Sequence, residues 1–375
     1  MIGFSIGRFL AVLRKEWLQM RRDPATISLT VALPLLQLFL FGYALNTNPR
    51  HLPTAVLAAD QSRYVRTLEA ALTNTGYFTL HRYDSEADAE LAIRRGEVLF
   101  VLSIPPNFGR DIDRGVQPQV LMAADATDPT AIAYASAALS ALNATVLQRD
   151  LPPSLRQQPS SPPFGVVFHA RYNPEYVTAL NIVPGLIGTI LTLSTLMLTA
   201  LSMTKEREGG TLENLLAMPV RPLEVMLGKI IPYVGLGYTQ VALILAVAFL
   251  VFGVPVEGSV LLLLGVLGLF ILCNLALGFT FSTLAATQMQ ALQMTQFFFL
   301  PSMLLSGFIF PFQGMPGWAR IVGEMLPLTH AIRISRGILL KGNGMAEIWP
   351  DVWPLALFAI VAVVVAVRSF HETLD

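Results

Sequence analysis

TKEREGGTLENLLAMPVRPLEVMLGK, residues 204–229, gathers four basic and four acidic side chains between two long apolar runs. The surrounding chain makes that unusual. Of its 375 residues 54% are hydrophobic and 13% are charged, about half the charged share of an ordinary soluble protein, which favours a membrane protein. Gly209 and Gly210 are expected to break the helix emerging from the first apolar run. Thr211 can then N-cap a short helix, TLENLLAM, that Pro219 ends. Leu212, Leu215 and Leu216 give this helix one apolar side, and Glu213 falls in its first turn, where the macrodipole favours an anion. Such a helix at a membrane edge has the form of a docking element. Its plainer reading is a solvated loop that caps itself.

A helix needs about 20 apolar residues to cross the hydrocarbon core, and six stretches qualify: 27–45, 177–203, 230–252, 260–285, 292–311 and 352–367. An even count places both termini on one side. Basic residues near span ends mark the cytoplasm. Arg8, Arg14, Lys15, Arg21 and Arg22 precede the first span, and Lys205, Arg207, Arg221 and Lys229 lie in the 204–229 loop. Residues 46–176 therefore fall outside, as do residues 312–351, although the latter carry Arg320, Arg333, Arg336 and Lys341. About 25 polar and amphipathic residues precede the first span, unlike a short cleavable signal. Within residues 1–26, Phe9, Leu13 and Trp17 recur at helical spacing with Arg14 and Lys15 mostly elsewhere on the wheel, predicting an amphipathic elbow helix at the interface. Residues 368–375 form a cytoplasmic tail.

The 46–176 insert reads as α/β. Residues 54–60 and 97–103 are apolar, β-rich runs, further strands are expected near 77–83 and 119–124, and helical periodicity begins at Ser62 and Ser85. A helix is expected over 129–147. Alternating strands and helices predict a small mixed or parallel sheet. Residues 152–163, PPSLRQQPSSPP, form a stiff proline-rich linker.

Several chemistries find no support. The formal net charge is zero, so no global field points to nucleic acid. Cys273 is the sole cysteine, which rules out an internal disulfide, and no Cys/His cluster suggests a metal. No G-x-x-x-x-G-K-[ST] occurs; Gly228–Lys229 runs into Ile230, so this sequence holds no phosphate-cradling loop. The five histidines are scattered, and Asp125 with Asp128 before Pro129 reads as a turn rather than a catalytic pair. No catalytic residue is assigned. The spans lack Asp, Glu, Lys and His, which weakens an ion-coupled transporter. They do hold Asn181, Gln240, Asn274, Gln293 and Gln296, with Phe297 beside the last; these serve as interhelical glue or line a translocation path.

KEREGGTLENLLAMPVRPLEVMLGK (205–229) resembles the cytoplasmic loop of ABC transporter permeases of the type-2 exporter family. RYNPE (171–175) leading into VPG (183–185), LLSGFIFPF (304–312) and LPLTHAIRISRGILLKG (326–342) agree in order and spacing. The resemblance implies an α-helical polytopic protein of six transmembrane helices, with the α/β domain inserted between the first and second and two permease copies, or a copy and a close paralogue, forming the pore. It also implies a coupling helix that docks on an ABC ATPase subunit through Glu206, Glu208, Gly210, Thr211, Glu213, Leu215 and Leu216. ATP and Mg would sit on that partner, with no cofactor in this chain. Residues 312–351 would fold partly back into the outer leaflet as short helices, where Arg333 and Arg336 could snorkel or meet headgroups; the plainer reading is an exposed external loop with amphipathic helices. The implied location is the bacterial inner membrane, both termini cytoplasmic. The implied cargo is a drug or other hydrophobic small molecule, with a periplasmic adaptor and outer-membrane channel as further partners. Export of lipid or polysaccharide, ion-coupled transport, and a receptor or scaffold sensing through the external domain are the alternatives.

Overall fold

The computed structural model describes residues 50–127, 129–143, 145–152, 162–175, 177–210 and 222–372. The elbow helix, the 27–45 span, residues 211–221, the 368–375 tail beyond Glu372 and most of the proline-rich linker lie outside the described residues.

The N-terminal described unit is an α/β domain. Strand β1 (Leu52–Ala58) leads to α1 (Arg63–Asn74), β2 (Phe78–Arg82), α2 (Glu86–Arg95), β3 (Phe100–Ile104), α3 (Phe108–Asp113), β4 (Gln119–Asp125), α4 (Pro129–Asn143) and β5 (Gly165–Arg171). The sheet order is β2–β1–β3–β4–β5. It is mixed: β1 runs parallel to β2 and β3, β4 is antiparallel to β3, and β5 is parallel to β4. Alternation along the strands divides the domain into layers. Leu52, Val56, Phe100, Leu102 and Met122 pack under α1, α3 and α4, while Ala55, Val101 and Ala123 face Ala89, Ala92 and Ile93 of α2. Helix α2 shows why such segments start and stop where they do. Ser85 Oγ accepts from Ala87 N, Glu86 and Asp88 occupy the first turn, Arg94 and Arg95 the last, and Gly96 closes the helix at φ 73°. Each end thus carries the charge that complements the macrodipole.

Four of the five strands and α4 lie where the sequence placed them, within a few residues. The exceptions are β5 and α3, which no periodicity announced.

The second unit is helical: α5 (Thr178–Glu208), α6 (Pro222–Leu250), α7 (Val260–Leu284), α8 (Gln288–Leu305), α9 (Gly317–Glu324), α10 (Pro327–Lys341) and α11 (Met345–Glu372). Among the described residues four helices are long and apolar enough to cross a membrane, at Thr178–Glu206, Ile230–Leu250, Val260–Leu284 and Met345–Ser369. Helix α8 covers much of the expected 292–311 span but is not one of the four; Gln288, Gln290, Gln293 and Gln296 dilute its apolar character. The centre is α7, with a mean hydropathy of 2.8, packed most extensively on α5 and α11.

Two boundaries move. The 204–229 stretch is helical at both ends, because α5 continues through Lys205, Glu206 and Arg207 to Glu208 and α6 begins at Pro222. Lys, Arg and Glu are good helix formers, so the end of the apolar run is not the end of the helix, and Pro222 occupies the first helical position, where its missing N–H costs nothing. Helix α11 likewise starts at Met345, ahead of its apolar run.

Candidate functional site

The α5 terminus is built as its sequence implies. After Glu208, Gly209 N bonds Lys205 O and Gly210 takes φ 68°, turning the chain out of the helix. Glu206 is half-buried on the last turns. Glu208 reaches across to the start of α8: its carboxylate accepts from Gln288 N at 2.8 Å and from Gln288 Nε2 at 2.5 Å. Of the residues assigned to docking, these two and Gly210 are placed; Thr211, Glu213, Leu215 and Leu216 lie outside the described residues.

The polar residues of the candidate path are tied to separate elements. Asn181 Oδ1 accepts from Arg336 Nη2 at 3.1 Å. Gln240 Oε1 accepts from Ser194 Oγ at 2.7 Å, joining α6 to α5. Asn274 is fully buried and donates to Phe270 O of its own helix. Gln293 is half-buried, whereas Gln296 and Phe297 are exposed on α8. The contacts of Asn181 and Gln240 are those of interhelical glue. Along α5, Thr189, Thr192, Thr195, Thr199 and Thr204 are buried and each bonds a carbonyl one turn back, so their hydroxyls are satisfied within the helix and their methyls meet its neighbours.

The cluster that sequence reasoning missed lies where the α/β domain meets the helices. A cleft of ≈ 540 Å³ runs between α2, the end of β4, α10 and the start of α11. His330 is bracketed by two acceptors, Asp351 Oδ1 at 2.7 Å from Nδ1 and Glu324 O at 2.9 Å from Nε2. Arg333 pairs with Glu324 at 2.6 Å and Asp351 at 3.3 Å and stacks 4.4 Å from the Phe312 ring centroid. Burial opposes its charge, but hydrogen bonds and charge from Glu324 and Asp351 outweigh that and raise its pKa above the ordinary value. Arg336 donates to Gly307 O, Phe308 O and Asn181. Lys341 meets Asp125 at 2.5 Å, both side chains almost fully buried.

Arg333 and Arg336, expected to snorkel or meet headgroups, have partners within the protein: Glu324 and Asp351 for the first, Asn181 and the carbonyls of Gly307 and Phe308 for the second. Asp125 is a turn residue as read, its Oδ1 accepting from Thr127 N and Oγ1, but its other oxygen belongs to Lys341. The available signal was the balance of charge in 312–351, where Glu324, Glu347 and Asp351 accompany the basic residues.

Four helices long and apolar enough to cross a membrane, an α/β domain and a charged joint between the two define a multi-pass membrane subunit. The chain belongs to a known family of such subunits: a family model described as ABC-2 family transporter protein matches residues 24–368. It is the membrane domain of an ABC-2 type transporter, a permease subunit of a class that works with ABC ATPase subunits. Among its relatives, the probable multidrug ABC transporter permease YbhS of Escherichia coli (strain K12) is 29% identical over 342 residues, 90% of each chain. The probable multidrug ABC transporter permease YbhR of the same strain is 26% identical over 366 residues, 97% of this chain and 98% of its own. The inner membrane transport permease YhhJ, also from that strain, is 28% identical over 339 residues, 86% of each chain.

Proposed function

We propose that this chain is the membrane-spanning half of an ATP-driven exporter that moves drugs or other hydrophobic small molecules out of the cytoplasm or inner leaflet. The observation that carries the reading is the family match over residues 24–368 in a sequence with no P-loop of its own. A separate ATPase subunit, holding ATP and Mg, then supplies the energy, docking on the segment between α5 and α6. The cargo class rests on the multidrug names of YbhS and YbhR. Six spans, an external α/β domain, cytoplasmic termini and an inner-membrane location complete the arrangement, with an adaptor and outer-membrane channel as further partners. A second permease copy completes the pore, and it would share with lipid the apolar residues that α6 and α11 leave exposed, among them Leu236, Leu243, Phe249, Leu357 and Ile360. Surfaces this apolar are covered by lipid or by another chain.

The test is purification of the tagged protein from its host in mild detergent, with co-purifying chains identified by mass spectrometry. Glu213→Arg is the informative variant, since Glu208 also holds α8 and its loss changes two things together. An ATPase that accompanies the parent and is depleted from Glu213→Arg supports the reading. Absence of any ATPase from intact parent complexes refutes it.

A further inference from the structure

The α/β domain meets the helices at a place where three of its segments end together. Lys341, the last residue of α10, extends its ammonium into that point. Nζ donates to Asp125 Oδ2 at the end of β4 (2.5 Å) and to Ile93 O near the end of α2 (3.2 Å), and lies 5.3 Å from the ring centroid of Tyr172, just past β5. Gly342 follows in the left-handed region at φ 65°, which turns the chain so that Asn343 Nδ2 donates to Arg94 O at 3.0 Å. The side chains of Lys341 and Asp125 are 7% and 3% exposed. Close by is the covalent link from β5 to α5, residues 172–177, where Asn173 brackets Val177 by accepting from its N (2.8 Å) and donating to its O (3.1 Å).

We propose that Lys341 is a pin that couples the α/β domain to α10, so that the domain turns with the outer end of that helix as one body about the 172–177 link. The physical reason is the character of a buried ion pair. Such a pair contributes little net stability over apolar packing, but separating it inside the protein strands an uncompensated charge. A partly withdrawn Lys341 would leave Asp125 buried with an unanswered negative charge. The joint is therefore either closed or fully open, and small displacements of α10 are transmitted rather than absorbed. Because the ammonium engages β4, α2 and the residue after β5 at once, it constrains rotation as well as separation. Other direct packing between the two units runs through α2 against α10 and α11 and through β1 against residues 312–314, and among the described residues none of these brings a second buried ion pair.

The coupling is measurable in the full-length protein in lipid nanodiscs, independently of any cargo or ATPase. Spin labels at Thr73 of α1 and Arg320 of α9, both exposed, on a Cys273→Ala background report the separation of the two units. The parent and Lys341→Arg, which keeps a cation for Asp125, are expected to give one narrow distance distribution. Lys341→Met combined with Asp125→Asn is expected to broaden it about twofold, as for units free to move independently, while amides of β1 and β3 keep their hydrogen-exchange protection. An unchanged width in the double variant overturns the proposal. Should that variant lose strand protection, Asp125→Asn alone decides, because it removes the ion pair with a side chain of the same shape that still accepts from Thr127: broadening with the strands protected supports the pin, and an unchanged width refutes it.

Discussion

Gly278 of α7 faces α5 so closely that a methyl group built on it would stand 2.7 Å from Leu196 O and collide with Thr199 Oγ1. Ordinary contact begins at 3.4 Å, so Gly278→Ala requires the two helices to part locally by about 0.7 Å to clear Leu196 O and about 1.4 Å to clear Thr199 Oγ1. Thr199 has little freedom to move aside, being 1% exposed with its hydroxyl bonded to Thr195 O at 2.7 Å. Overpacking of this kind costs about 1–3 kcal/mol, while alanine returns about 1 kcal/mol of helix propensity. The propensity contribution can be isolated on the same helix, because a Cβ at Gly265 meets nothing within 4 Å. Gly265→Ala is thus expected to be neutral or stabilising, and the two variants should differ by about 1–3 kcal/mol. Parallel thermal unfolding in one detergent, followed by tryptophan fluorescence and repeated against a denaturant series, measures that difference. Equal midpoints for the two variants would refute the close approach of α5 and α7.

Burial, reinforced by the nearby Asp125 charge, pushes the Tyr172 pKa up to about 12. Between pH 10 and 12 the folded state then keeps a phenolic proton that the unfolded chain has released. The corresponding stability is complete below pH 10 and is lost as pH rises through 12, a change of about 1–2 kcal/mol once solvent screening of this partly exposed group is allowed for. Tyr172→Phe should flatten that decline in unfolding midpoints collected from pH 9 to 12 relative to the parent. Glu208→Gln removes the anion from the N-terminus of α8 at a cost of up to about 1 kcal/mol. Amides 288–291 should exchange faster in that variant while those of α7 keep the parental rate.

What the sequence made legible depended on how local the cause was. Strands β1 to β4 declared themselves through short apolar runs bounded by turn residues, and the long apolar helices through length alone. Strand β5 did not, because GVVFHAR follows a proline-rich segment and, as an edge strand, buries only Ala170 fully. Helix α3 has six residues, too few for a period to register. Gly209 and Gly210 marked the end of α5, whereas the start of α6 at Pro222 was missed because helicity outlasts apolarity at the membrane edge. For the site, the basic residues of 312–351 stood out as an anomaly, yet their partners were hidden: Lys341 meets Asp125 from 216 positions away. Asn181 was singled out as a polar residue in a span, but its role in holding Arg336 exists only once α5 and α10 are side by side.

The reversal of direction between β3 and β4 has a further consequence. Since β1 begins and β5 finishes at the same end of the sheet, the chain enters and leaves the domain three strand spacings apart, about 14 Å. That gap can be closed by about five extended residues. The domain is therefore a cassette: it can be exchanged for a short loop, or for another fold with adjacent ends, without inverting any helix that follows. A lineage of such proteins is free to trade this domain while the helical frame stays in register.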